Sequence, residues 1–193
     1  MNNNHPKRGQ AIKVEPIKSP RDIKTIKEQL RPNPLYFCLF ILGINTNLRA
    51  SDLLNITVAQ VRHLKDMGEI TIIEKKTKKE RRISLNRSCV QAIKNLLASR
   101  QYQDTDMLFI GQRGPLTVPS VSRLVKSWCT SIHLKGNYAA HTLRKTFGYQ
   151  QRVAFGVGLP ELMECFNHTS QKITLKYLCV QPEEIKNIYA HEI

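Results

Sequence analysis

The sequence predicts a mainly α-helical domain with one small antiparallel β-sheet, an α+β chain. Three observations predict it. Apolar residues recur at helical spacing in several segments that open on a capping residue or a proline. Two short β-like runs, 69–74 and 81–85, flank one lysine-rich tip. The 193 residues, 41% of them hydrophobic, suffice for one domain with its own core.

The elements follow in order. Residues 1–18 read as a basic, flexible tail without apolar periodicity, and the domain is expected over 19–193. Ser19, Pro20 and Asp22 open a first helix bearing Ile23, Ile26 and Leu30, which Pro32 and Pro34 end. A heavily apolar helix is expected over 35–44, broken by Asn45, Thr46 and Asn47. Ser51 is the expected cap of a third helix carrying Leu53, Leu54 and Ile56. The hairpin 69–85 has a basic tip without Gly or Asn, so its turn type stays open. Helices follow over 88–100, around Val121 to Trp128, and over 141–154, 160–166, 170–178 and 183–190, with a loop at 111–115.

Charge narrows the function. Thirty Lys+Arg stand against 15 Asp+Glu, a net charge of +15. A globular chain this basic attracts polyanions, so nucleic acid is the first expected partner. A membrane surface ranks last. The apolar stretch 35–44 is too short to span a bilayer, the N-terminus does not read as a signal peptide, and no basic amphipathic helix or anchor stands out. The five cysteines are scattered and include no Cys-x-x-Cys pair. They read as buried thiols of a cytoplasmic protein, without a disulfide framework or a zinc site.

Four segments carry residue types suited to phosphate chemistry. In Asn47-Leu-Arg49-Ala-Ser-Asp52, a guanidinium stands at a helix mouth, where a fork of donors suits phosphate oxygens, and Asp52 is placed to hold it. Lys76 sits in the hairpin tip among Lys75, Lys78, Lys79, Arg81 and Arg82, a set suited to tracking phosphates. His141 and Arg144, three apart on a helix, share a face. His168 precedes Tyr177, a phenol that needs nearby cations or a base to act as a nucleophile. Taken singly, each has an ordinary explanation: a surface ion pair, a solvated charge run, a helix start, a core tyrosine.

As an ordered set they resemble the tyrosine recombinase (phage integrase-type) family. Arg49 in N-L-R-A-S-D-L-L looks like the family's first arginine box. Lys76, before Thr77, is similar to its hairpin lysine. His141-x-x-Arg144 looks like its second box, and His168 with Tyr177 nine residues later matches its last His and its nucleophile. The resemblance covers about residues 19–190 and implies a tyrosine recombinase catalytic-domain fold. It implies that Tyr177 attacks a phosphodiester to give a 3′-phosphotyrosyl bond, with Arg49 and Arg144 clamping the phosphate. Lys76 would be the general acid, His141 an acid–base group, His168 a phosphate ligand and Asp52 their support. No cofactor and no metal ligand are implied. The implied partner is double-stranded DNA, bound by a homo-oligomer (a tetramer), with an accessory DNA-binding protein or domain in place of the N-terminal core-binding domain that the sequence lacks. Location in the cytoplasm with the nucleoid follows.

Lys145 stands after Arg144 where many relatives have histidine, and little chemical consequence is expected of it. Two other readings remain open: a topoisomerase IB-like nicking and relaxing enzyme, and a DNA-binding protein of the same fold without catalysis.

Overall fold

The computed structural model describes residues 14–179. The helix expected over 183–190 and residues 1–13 of the expected tail lie outside them. Residues 14–18, read as tail, are instead held on the domain. Ile17 is 1% exposed, its N–H donates to Thr146 Oγ1 at 2.9 Å, and Glu15 N–H donates to Asn137 O at 2.9 Å. Gln150 Nε2 also donates to Ile17 O and Lys18 O, so a buried isoleucine and long-range hydrogen bonds anchor a segment whose sequence shows no period.

Helix α1 (Pro20–Leu30) starts as its sequence indicates, with Ser19 Oγ accepting from Asp22 N–H. Helix α2 (Pro34–Asn45) is capped by Asn33 and buries Cys38, Leu39, Phe40, Ile41 and Leu42. A helix apolar all round must be covered all round. Here α1, α5 (Arg87–Ala98) and α7 (Ala140–Val153) cover it. Trp128 closes its N-terminal side, with Phe40 edge-on at 5.9 Å and Tyr36 at 6.0 Å.

Helix α3 is one turn (Ala50–Leu53), and its cap is Arg49, not Ser51. The Ser51 hydroxyl donates to Asp52 Oδ1 at 3.3 Å instead, and Ile56 lies beyond the helix. A second short helix, α4 (Val58–Val61), follows unannounced.

Strands β1 (Gly68–Ile73) and β2 (Glu80–Leu85) pair antiparallel, with Ile70 opposite Ile83 and Ile72 opposite Arg81. Ile70, Ile72, Ile83 and Leu85 face the core, while Glu69, Thr71, Arg82 and Ser84 face out, as a two-residue period requires. The tip turns without glycine. Lys78 N–H donates to Glu74 O at 2.8 Å, Glu74 N–H donates to Lys79 O at 2.9 Å, and Lys78 takes the left-handed conformation (φ 59°).

The expected loop at 111–115 is a minimal hairpin, β3 (Ile110–Gly111) with β4 (Gly114–Pro115). Helix α6 (Val118–Ser131) packs on α7. Helices α8 (Leu159–Phe166) and α9 (Gln171–Leu178) form a smaller layer around Leu162, Phe166 and Leu178. This layer rests on α7 at Gly148, where an added Cβ would come within 2.6 Å of Phe166. Cys38, Cys89 and Cys129 are buried as expected, but Cys165 is exposed and Cys179 half-buried, because both lie at helix ends in this outer layer.

Candidate active site

Three corners of the fold meet over one end of α7. The first is the bend between α2 and α3. Asn47 is 1% exposed and left-handed (φ 54°). Its carbonyl accepts Arg144 Nη1 at 2.9 Å, and its Nδ2 donates to Cys165 O at 2.6 Å. A residue that sequence reading treated as a helix breaker thus ties α2, α7 and α8 together.

Arg144 is 3% exposed, and Nη2 also donates to Phe166 O at 3.3 Å. Two carbonyls orient the guanidinium, yet no carboxylate among the described residues pairs with it. Its Cζ lies 5.1 Å from the Phe166 ring centroid. Burial lowers its pKa from the usual arginine value, the Tyr177 phenol opposes that, and Arg49 adds repulsion.

The second corner is the hairpin. Glu74, at the end of β1, is 3% exposed. It lies 2.8 Å from Arg49 Nη1 and 3.4 Å from Arg81 Nη1, and it accepts Thr77 Oγ1 at 2.6 Å. Burial alone would raise its carboxyl. Thr77 donating to it, with the charges of Arg49 and Arg81, holds it down at about 2. Asp52, also buried, accepts Lys75 N–H at 2.9 Å through Oδ1 and places Oδ2 3.8 Å from Arg49. Arg49 is therefore clasped by two acids that also hold the tip. Sequence reading named Asp52 and missed Glu74, whose only signal was an acid between an apolar strand and the four lysines of the tip.

The expected DNA contacts divide. Lys75, Lys76, Lys78, Lys79 and Arg82 are exposed. Arg81 points inward, to Glu74 and to Cys165 O at 2.9 Å, so it braces the hairpin against α8. Lys76 lies near enough for its charge to bear on His141.

The third corner is the α8–α9 layer. Asn167 ends α8 in the left-handed region (φ 55°), and His168 N–H closes back on Met163 O at 2.9 Å. This turn brings the His168 ring against Phe166 (5.2 Å) and Tyr177 (5.3 Å), with Nδ1 3.0 Å from Thr174 Oγ1. Tyr177 also meets Phe166 at 5.1 Å and His141 at 6.3 Å. Its Oη is buried and makes no hydrogen bond of ordinary geometry among the described residues. Burial raises the phenol pKa, while Arg144 most of all, and then Arg49, pull it down. Burial and the same arginines lower both histidines, with Lys145 and Lys76 adding to the effect on His141.

Lys145 departs from expectation. It is 7% exposed and lies over the Tyr177 ring at 4.9 Å. Its position four residues after His141, on one helix face, was the available signal.

Residues 21–184 match the model of the phage integrase family. The chain belongs to that family. It is a family of tyrosine recombinases, enzymes that break and rejoin DNA, and its relatives bear this out by name. The chain is 32% identical to the probable integrase/recombinase YoeC of Bacillus subtilis (strain 168), over 91% of this chain and 95% of that protein. It is 29% identical to the tyrosine recombinase XerC of Caldanaerobacter subterraneus subsp. tengcongensis, over 78% of this chain but 42% of that one. Among solved structures, XerA recombinase superposes with a TM-score of 0.73 at 19% identity, over 96% of this chain and 65% of the other. XerH recombinase on its difH substrate gives 0.72 at 18%, over 95% and 55%. The fold is that of this family's catalytic domain, and the chain spans about two fifths to two thirds of those longer recombinases. No helix among the described residues is long and apolar enough to cross a membrane.

Proposed function

We propose that this integrase-family chain cleaves and rejoins duplex DNA at specific sites, with Tyr177 as nucleophile. One observation carries the reading: the buried Arg144, without a carboxylate partner among the described residues, stands with Arg49 beside the unbonded Tyr177 oxygen. A buried guanidinium without a counter-charge is costly, and a phosphate beside it supplies that counter-charge.

In the reaction, Tyr177 Oη forms a bond to phosphorus as the bond from phosphorus to the 5′-oxygen breaks. The DNA is left with a 3′-phosphotyrosyl end and a 5′-hydroxyl. Arg49 and Arg144 stabilise the non-bridging oxygens as charge builds. His141 is held in its neutral form by its surroundings and takes the phenol proton. Lys76, on the tip, protonates the departing 5′-oxygen. His168 holds a phosphate oxygen, and Asp52 keeps Arg49 in place. Rejoining reverses each step. One ester replaces another, so the exchange needs neither ATP nor a metal. Lys75, Lys78, Lys79 and Arg82 track the backbone, and a homo-oligomer, a tetramer, assembles on DNA with an accessory DNA-binding protein or domain.

Covalent trapping tests this. The protein is incubated with a nicked suicide duplex from the DNA flanking its own coding region, then denatured. An adduct that disappears in Tyr177→Phe is expected. Tight DNA binding with no adduct would move the assignment to a non-catalytic binder, and relaxation of plasmid DNA without strand exchange would move it to a topoisomerase-like enzyme.

A further inference from the structure

Lys145 carries a role that no motif assigns. Its ammonium is buried on the same face of α7 as His141, next to Arg144. It faces two things: the Tyr177 ring, 4.9 Å from Nζ to the centroid, and Cys179 Sγ at 3.6 Å. Cys179 caps α9 two residues after Tyr177 in the left-handed conformation (φ 64°), which is costly for a residue with a Cβ. That backbone turn leaves Sγ within reach of Lys145 and of Tyr177 O, 3.6 Å away. Among the described residues, the other charged and titratable groups around the phenol are Arg144 and His141 on α7, His168 before α9, and Arg49 before α3.

We propose that Lys145 is a positioning residue for the nucleophile: anchored by Cys179 Sγ, its ammonium caps one face of the Tyr177 ring, sets the direction of the phenol oxygen and favours the phenolate as attack begins. The inference rests on the reading of Tyr177 as nucleophile. The physical reason is differential. A cation over an aromatic face is attracted to the ring's negative quadrupole. A phenolate ring carries more negative charge than a phenol ring, so the attraction grows as the proton leaves. Histidine at this position would supply a charge only when protonated. The sulfur keeps the flexible lysine stem from turning away.

The test places difluorotyrosine at position 177, whose phenol titrates near neutral pH while lysine stays charged. Fluorine NMR reads its midpoint in the full chain with no DNA present. Replacing Lys145 with methionine (Lys145→Met) keeps the stem and removes the charge. It is expected to raise the midpoint by about one pH unit and to slow single-turnover cleavage about tenfold, without changing DNA affinity. Lys145→Arg is expected to restore both. An unmoved midpoint in folded Lys145→Met overturns the proposal. Should Lys145→Met not fold, Cys179→Gly suits the left-handed backbone and removes the anchor along with the thiol's own upward pull on the phenol, a loss that by itself would lower the midpoint. A raised midpoint there supports the proposal, and an unmoved one overturns it. Failure of the nucleophile reading looks different: Tyr177→Phe would still form the covalent adduct, whatever the midpoint does.

Discussion

Arg49 is already neutralised by Glu74 and Asp52 in the free protein, whereas among the described residues Arg144 is held by carbonyls alone. The two arginines therefore answer substitution differently. Lysine at position 144 (Arg144→Lys) keeps the charge but loses the fork that serves Asn47 O, Phe166 O and a phosphate together. Cleavage should fall by about 10² to 10³ while DNA affinity holds, as measured by single-turnover adduct formation beside a binding isotherm. Glu74 makes a pH prediction. Its folded pKa of about 2 lies below the ordinary carboxylate value, so its stabilisation is full above that value and is lost as pH falls towards about 2. Glu74→Gln should melt lower than the parent at neutral pH, and the gap should close in acid. A gap independent of pH would rule this out. His141 is depressed too, first by burial and then by Arg144. The folded state thus binds its proton less readily than the unfolded chain, and stability drops as pH falls through the ordinary histidine range. Its ring carbon resonance should titrate below the ordinary histidine value of about 6.5, and a midpoint at or above that value would show that burial and Arg144 do not depress it in the folded protein.

At the scale of elements, the nucleophile depends on how α8 and α9 sit on α7. Gly148 lets them approach, because its missing Cβ is the space that Phe166 and Leu178 fill. Gly148→Ala favours an isolated helix, but here overpacking should dominate and cost about 1 to 3 kcal/mol. The displaced layer carries His168 and Tyr177, so cleavage should fall further than the melting temperature suggests. Calorimetry and trapping on one preparation check this, and full activity in the variant would show that the layer adapts. The hairpin is the other lever. Its tip is fastened through Asp52 to Lys75 N–H and through Glu74 to Thr77, which leaves the lysine side chains exposed while the backbone is held.

For the molecule as a whole, a net charge of +15 makes association with DNA steeply salt-dependent. Replacing Lys75, Lys78 and Lys79 with alanine should weaken binding and flatten the slope of log affinity against log salt by about 0.9 for each phosphate no longer neutralised. A slope unchanged by the triple replacement would place the DNA face elsewhere. Deletions that probe the basic tail should stop at residue 13, because Ile17 belongs to the core and its backbone is paired with Thr146.

The sequence by itself determined the helices that open on Ser19 and Ser170, the apolar helix α2, the two strands of the hairpin and the six residues that stand in the family's boxes. These follow from local rules, since capping, period and motif spacing are properties of neighbours along the chain. Only the tertiary structure decided the rest. Asn47 joins Arg144 and Cys165, 97 and 118 residues away, and Glu74 acquires its meaning when Arg49 and Arg81 close on it from different elements. Lys145 becomes part of the site because α9 lays a tyrosine ring over it. Each is a long-range electrostatic or packing interaction between residues whose local sequence is ordinary, and such interactions exist only once the chain has brought its distant segments together.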